Sequence, residues 1–342
     1  MLVIAREYFY RYQDILKKAC LWQAFFVYFN MAKKKLPSIV KEVQNKIKRD
    51  IDWASEKLIS FSQFQMYSDC PKKWSLQYKE GHKQFTSTIH TVFGTALHET
   101  IQHYLTVFYE QSSAEADRIN TSEMLEESLR EEYKKQYKSN NKQHFVTPEE
   151  LREFYEDGVE IVRDFAKNKA KHFSKRGWHL IGVEIPLTLN PHPKYPNVVY
   201  QGYLDAVLYH EPTNKIYIID FKTSTWGWGD KDKKNETKQF QLLLYKKYFS
   251  DYFNFPIENI NVEFFILKRK LRESEDFVIK RIQKHQPSSG KIKIKKAEDA
   301  LLKFVEEAFD QNGFKEIEHK PKLNDNCKYC PFHKTHLCPA TY

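Results

Sequence analysis

No stretch of this 342-residue chain reaches the roughly 18–20 consecutive apolar residues that a membrane-spanning helix requires. The nearest candidate, Leu21–Phe29 (LWQAFFVYF), is too short. Lysines flank it and no small-residue cleavage site follows, so no signal peptide is expected. Cysteine is scarce too. Five residues, unevenly placed, cannot make the disulfide framework of a secreted domain, and a reducing cytoplasm is expected (the host's, should a phage encode the chain). Neither G-x-x-x-x-G-K-S/T nor a dinucleotide glycine fingerprint occurs, which excludes an ATP-driven motor.

What the chain has in excess is positive charge, +10 net with a pI near 9.0. That balance favours a polyanionic partner, nucleic acid before membrane. Aromatic residues make up 15 %, enough for both a thick core and base-stacking surfaces.

The organising stretch is Gly202–Thr223, GYLDAVLYHEPTNKIYIIDFKT. It reads as two strands, Val198–Tyr209 and Lys215–Phe221, broken at Glu211–Asn214. Each strand carries one carboxylate in apolar surroundings, Asp205 and Asp220. Strand alternation sets Lys222 on the same face as Asp220. Two acids and a lysine on one sheet face suit a hard divalent cation and a phosphate. The competing reading, solvent-facing strand-end acids, accounts for one such residue more readily than for two.

Around this hairpin the pattern predicts mostly helices. Residues 1–58 read as a helical extension, with 1–30 either a partner-docking helix or, the favoured reading, dispensable for chemistry. Ser62 is the expected N-cap of a helix running into Cys70. Ile89–Phe108 shows helical spacing, with Gly94 and His98 four apart and room beside the imidazole. Ser122–Lys138 and Thr147–His172 read as amphipathic helices of an insert spanning about 112–175, the second opened by the capping box Thr147-Pro-Glu-Glu150. Trp178–Leu189 is an expected strand in which Glu184 is either a further carboxylate at the metal or an edge-strand charge. Ser224–Glu236 (STWGWGDKDKKNE) is expected as a loop whose tryptophans and lysines suit a passing single strand, or as an ordinary charged turn with Trp226 packed inward. Lys238–Phe253 is an expected helix with Gln241 and Tyr245 on one face, followed by strands at Asn261–Lys268 and Asp276–His285 and a helix at Ala297–Phe309.

The C-terminal run Cys327-Lys-Tyr-Cys330 with Cys338 seven residues on has metal-site spacing. A fourth ligand could be His333 or His336, giving structural Zn2+, or the distant Cys70, giving Zn2+ or an iron–sulfur cluster.

Taken together these pieces resemble the PD-(D/E)XK nucleases, in particular the RecB-like exonuclease branch with its iron–sulfur group, which includes the CRISPR-associated adaptation exonucleases and the nuclease domain of the AddAB helicase–nuclease. The resemblance runs in order from about Ile59 to the C-terminus. It joins Ser60–Lys73 (S-x-S-x-F-x-x-Y-x-x-C-P-x-K), Gly94–His98, Gly202–Asp205, Asp220–Thr223 (D-x-K-T), Gln241–Tyr245 and the cysteine triplet. It implies a restriction-endonuclease-like α/β core over 59–342, a central mixed sheet flanked by helices, with a helical lobe and a C-terminal metal clasp. It further implies Mg2+ or Mn2+ on His98, Asp205, Asp220 and the Phe221 carbonyl. Lys222 would orient or activate water, and Gln241 and Tyr245 would fix the lysine and contact the DNA backbone. Cys70, Cys327, Cys330 and Cys338 would hold a [4Fe-4S] cluster, although the gap before Cys338 is wide for this group. The implied activity is exonucleolytic hydrolysis of single-stranded or end-exposed DNA in repair, recombination or mobile-element processing, alongside a helicase or recombination partner. The alternative is a non-catalytic DNA-binding adaptor subunit of a repair or CRISPR-like complex. An RNA-directed protein ranks below both, because nothing in the sequence reads a 2′-hydroxyl.

Overall fold

Strand-forming sequence is concentrated between Trp178 and His285, and that stretch builds most of the sheet. The computed structural model describes residues 36–46, 56–82, 87–272 and 280–339; the expectations for residues 1–30 fall outside these. Strands β1 (Lys57–Ile59), β2 (Trp178–Leu189), β3 (Val198–His210), β4 (Lys215–Ser224), β5 (Ile260–Lys268) and β6 (Ile282–His285) form one sheet in the order β1-β3-β4-β5-β6, with β2 also paired to β3. The β2–β3, β3–β4 and β5–β6 pairs are antiparallel, whereas β1–β3 and β4–β5 are parallel. The parallel β4–β5 pair needs a crossover, and a helix of 18 residues supplies it.

Both faces of the sheet are covered. On one lie α1 (Ser38–Lys46), α2 (Phe61–Asp69), the short α3 (Pro71–Trp74), and two helices introduced further along the chain. The opposite face receives α4 (Ile89–Glu110), α5 (Ser113–Asp117), α6 (Thr121–Ser139) and α7 (Pro148–Asn168). The first face is completed by α9 (Glu236–Phe253) and α10 (Lys291–Ala308), with the four-residue α8 (Asp230–Lys233) between β4 and α9. Strand alternation divides the side chains. Val207, Ile216, Ile218, Phe264 and Ile266 enter the α9–α10 core, while Ala206, Leu208, Ile219, Phe221 and Phe265 enter the α4–α7 core. This is the mixed α/β, restriction-endonuclease-like arrangement that the resemblance implies.

Several boundaries differ from expectation for physical reasons. The N-cap of α2 is Ser60, whose hydroxyl accepts the N–H of Gln63, because β1 ends at Ile59 and the chain turns at once; Ser62 lies inside the helix. The capping box at α7 forms as read, with Glu150 N–H donating to Thr147 Oγ1 at 3.1 Å and Thr147 N–H to Glu150 Oε2 at 3.0 Å. Helix α10 starts at Lys291 rather than Ala297. Its opening KIKIKK alternates like a strand, yet Ile294, Ala297 and Leu301 recur at helical spacing against the core and leave Ile292 exposed. The segment after β4, expected as a loop, is tied down and contains α8.

Candidate active site

The site forms where β3 and β4 part. Their ladder runs from His210 opposite Lys215 to Ala206 opposite Ile219 and stops there. One further step would set Asp205 opposite Asp220. Instead the Asp205 carboxylate enters the gap and accepts the N–H of Phe221 at 2.7 Å, replacing the missing ladder bond. Beyond this point β4 continues beside β5 alone, from Asp220 opposite Phe264 to Ser224 opposite Lys268. The alternation expected from sequence places Lys222 beside Asp220, with Nζ 2.7 Å from Asp220 Oδ2. Asp220 is 2 % exposed, whereas the Lys222 side chain is 34 % exposed, so the ammonium lies between the buried acid and solvent.

Helix α4 brings His98 to the opposite side of the gap, Nδ1 3.6 Å from Asp205 Oδ2. Burial, then the Lys222 charge, lowers the imidazole pKa to about 3, with the Phe221 backbone opposing. His98 is therefore neutral, the form in which imidazole binds metal. Gly94 does not make the room expected beside this ring. A Cβ there would meet Thr223 Oγ1 at an ordinary 3.7 Å.

The carboxylates are strained electrostatically. Burial, then Asp220, then Glu184 raise the Asp205 pKa well above the usual range, against the pull of Lys222 and the Phe221 N–H. Asp220 is likewise raised by burial, with Lys222 pulling it down. Lys222 itself loses basicity to burial but gains more from Asp220 and Asp205, and it stays protonated.

Glu184 belongs to this group in space, because one Gln102 amide joins it to the Asp205 backbone. It adopts φ 48°, left-handed backbone in the middle of β2, at a cost of about 1–3 kcal/mol for a non-glycine residue. Gln102, one turn after His98 on α4, donates to Glu184 Oε1 at 2.7 Å and to the Asp205 carbonyl at 3.1 Å. Sequence reasoning missed Gln102. Its four-residue offset from His98 was the available signal.

Gln241 and Tyr245 lie on α9 as spaced, Gln241 Nε2 donating to the Tyr245 hydroxyl at 3.2 Å. Tyr245 is buried beneath the strand gap. Its ring would be 2.7 Å from any Cβ at position 202, so only glycine allows this approach. Burial, then Tyr200 and Asp220, holds its phenol well above the ordinary range.

The donor set fits a hard divalent cation. Two carboxylates and a neutral imidazole come from three elements to one side of the sheet, His98 Nδ1 3.6 Å from Asp205 Oδ2, and the buried Asp220 has the Lys222 ammonium 2.7 Å away as its partner. Among the described residues no three His, Cys, Asp or Glu side chains already close around one point.

The C-terminal tail is fastened to the end of α2. Lys322 Nζ donates to the Ser68 carbonyl at 2.8 Å and Asn324 Nδ2 to that of Asp69 at 2.9 Å. In consequence Cys70, Cys327, Cys330 and Cys338 line one cavity, together with His333, whose buried Nε2 has no hydrogen-bond partner. Backbone N–H groups of Lys322 and Asn324 approach Cys70 Sγ at 3.5 Å and Cys327 Sγ at 3.4 Å. His336 is not among the residues lining that cavity.

Among the described residues no helix is long and apolar enough to cross a membrane. No curated protein sequence matches the chain. The family model of the PD-(D/E)XK nuclease superfamily matches residues 58–339, which takes in every strand of the sheet but the first residue of β1, both acids, Lys222 and the cysteine tail. The chain belongs to the PD-(D/E)XK nuclease superfamily.

Proposed function

We propose that the protein is a divalent-metal-dependent DNA exonuclease acting on single-stranded or end-exposed DNA. The observation that carries this reading is the pair of buried acids, Asp205 and Asp220, with Lys222 beside them at the mouth of the β3–β4 gap. A pure DNA-binding subunit has no use for two carboxylates held against their own solvation.

Asp205, Asp220, His98 and the Phe221 carbonyl would hold Mg2+ or Mn2+, which polarises a phosphoryl oxygen and lowers the pKa of bound water. The protein's own contribution is electrostatic. Lys222, which Asp220 and Asp205 keep protonated without metal, would orient or activate the attacking water and stabilise charge growing on the phosphate. Gln102 fixes Glu184 and the Asp205 backbone together, and Gln241 with Tyr245 supports the floor of the gap. The cysteine set suits a [4Fe-4S] cluster through Cys70, Cys327, Cys330 and Cys338, with structural Zn2+ as the alternative. Either would tie the tail to α2, where hydrogen bonds already join them. Lacking a motor motif, the protein would work with a separate helicase or recombination partner.

The test is anaerobic purification with metal analysis, then digestion of 5′- and 3′-labelled single-stranded DNA under Mg2+ or Mn2+, against Asp220→Ala and Lys222→Ala. Cleavage lost in both variants is the expected result, and the label pattern gives polarity. Binding without cleavage by the wild type would refute the nuclease reading in favour of an adaptor. Iron with a visible absorbance identifies the cluster, and zinc in a colourless protein discards it.

A further inference from the structure

The turn that leaves the catalytic strand holds its two tryptophans in opposite ways. Trp228 is a structural residue. Its ring packs 4.9 Å from Phe264, and Lys238 Nζ lies 5.4 Å from its centroid. Gln283 on β6 brackets its backbone, accepting the Trp228 N–H at 2.7 Å and donating to its carbonyl at 2.9 Å. Trp226, two residues earlier, is 54 % exposed, and among the described tryptophans it alone is exposed.

An isolated exposed apolar side chain needs no explanation by itself. The backbone beneath this one does. Ser224 Oγ both accepts the Gly227 N–H at 3.1 Å and donates to the Gly227 carbonyl at 3.0 Å. Arg269 and Lys270 donate their N–H groups to the carbonyls of Ser224 and Thr225 at 2.9 and 2.8 Å. Gly227 has φ 92°, and a Cβ there would meet Gln283 Oε1 and Lys268 at 2.8 Å, so the turn is built for glycine. Six hydrogen bonds therefore hold Trp226 outward on a braced turn. The turn follows Lys222 by four residues, a reach of at most about 14 Å. That span equals about four stacked nucleotides at roughly 3.4 Å each. Exposed Lys231 and Lys234 follow on the same segment.

We propose that Trp226 is a base-stacking platform, which receives the face of an unpaired nucleobase within a few nucleotides of the phosphate to be cut. It thereby favours single-stranded or frayed DNA over paired DNA. Stacking is indifferent to base identity because every base has a π face, so the platform selects for strandedness and not for sequence. A base inside a duplex is already stacked on its neighbours and has no free face to offer. This inference rests on the nuclease reading for the position of the scissile phosphate, while the contact itself is measurable by binding alone.

The experiment is fluorescence anisotropy with a labelled single-stranded oligonucleotide and a blunt duplex, in EDTA and in Ca2+, comparing wild type, Trp226→Ala and Trp226→Phe. Oligonucleotides with one abasic site moved stepwise from each end complete a double-mutant cycle. Trp226→Ala should weaken single-strand binding by about 5- to 150-fold, leave duplex binding unchanged, and be largely restored by phenylalanine. One abasic position should weaken wild type and have no further effect in Trp226→Ala. Equal single-strand binding by wild type and Trp226→Ala, or an abasic penalty that survives the substitution, would overturn the proposal. Cleavage assays on the same proteins separate the two claims. Cutting with indifferent binding rejects the platform alone, whereas coupling without any cutting upholds the platform and rejects the nuclease reading.

Discussion

Replacing Asp205 by asparagine should make the protein more stable without metal and less stable with it. The Asp205 carboxylate is buried, accepts one N–H from Phe221, and is repelled by Asp220 and Glu184. Asparagine can keep the Phe221 bond through its carbonyl oxygen while removing the charge. At an effective dielectric near 20, two unit charges within hydrogen-bonded neighbourhoods of one another repel by roughly 2–4 kcal/mol. Attraction to Lys222 is lost at the same time, which leaves a net gain of about 1–2 kcal/mol in EDTA. An unfolding entropy of about 2.1 cal/mol/K per residue over 342 residues converts each kcal/mol into about 1.4 °C, so Tm should rise by about 1.5–3 °C. Because the folded-state pKa of Asp205 is raised, the wild type binds more protons folded than unfolded. Its metal-free stability therefore declines as pH rises from the unfolded carboxylate range through the folded pKa, and the variant should lose the share of this decline that Asp205 contributes, keeping that of Asp220. Mg2+ at 100 times its Kd adds about 2.7 kcal/mol to the wild type, about 4 °C, and should add little to the variant. The order of the two melting curves then inverts between EDTA and Mg2+. Differential scanning calorimetry in both buffers measures it. A variant less stable than wild type in EDTA, or one equally stabilised by Mg2+, would refute the argument that these acids are held against repulsion for a cation.

Other outcomes follow from the same geometry. Lys222→Ala should lower kcat by about 100- to 1,000-fold with little change in DNA affinity, as loss of one preorganised charge does, measured by single-turnover cleavage. Gln102→Ala should weaken Mg2+ or Mn2+ affinity by about 10- to 100-fold through Glu184 and the Asp205 backbone, read by metal titration of activity and of Tm. Gly202→Ala should cost about 1–3 kcal/mol, because its Cβ would sit 2.7 Å from the Tyr245 ring; urea unfolding checks this. Burial, then Lys284, lowers the His172 pKa from 6.5 to about 4. Here the unfolded chain binds the extra proton, so stability falls as pH drops from about 6.5 towards 4, and His172→Gln should flatten that part of the profile.

Much of this molecule is local, and those parts were legible in the sequence. Val, Ile, Tyr and Leu alternation marked β2, β3 and β4 to within a few residues, and Thr147-Pro-Glu-Glu150 opens α7 as its capping box predicts. The two-residue spacing of Asp220 and Lys222 put both on one strand face, since a strand's period needs no tertiary information. Other features depend on residues distant in the chain. The identical polar residues Ser60 and Ser62 could each cap α2, and only the end of β1 chose Ser60. Whether Glu184 faced the acids or solvent, and whether Trp226 or Trp228 packed inward, depended on the partners that α4 and β6 present. Above all, the departure of β4 from β3 at Asp205 is a matter of register. Propensity and periodicity set which residues lie on a strand, but the point where two strands separate is decided by what each pairs with next, and here β5 keeps β4 while the Asp205 carboxylate fills the gap.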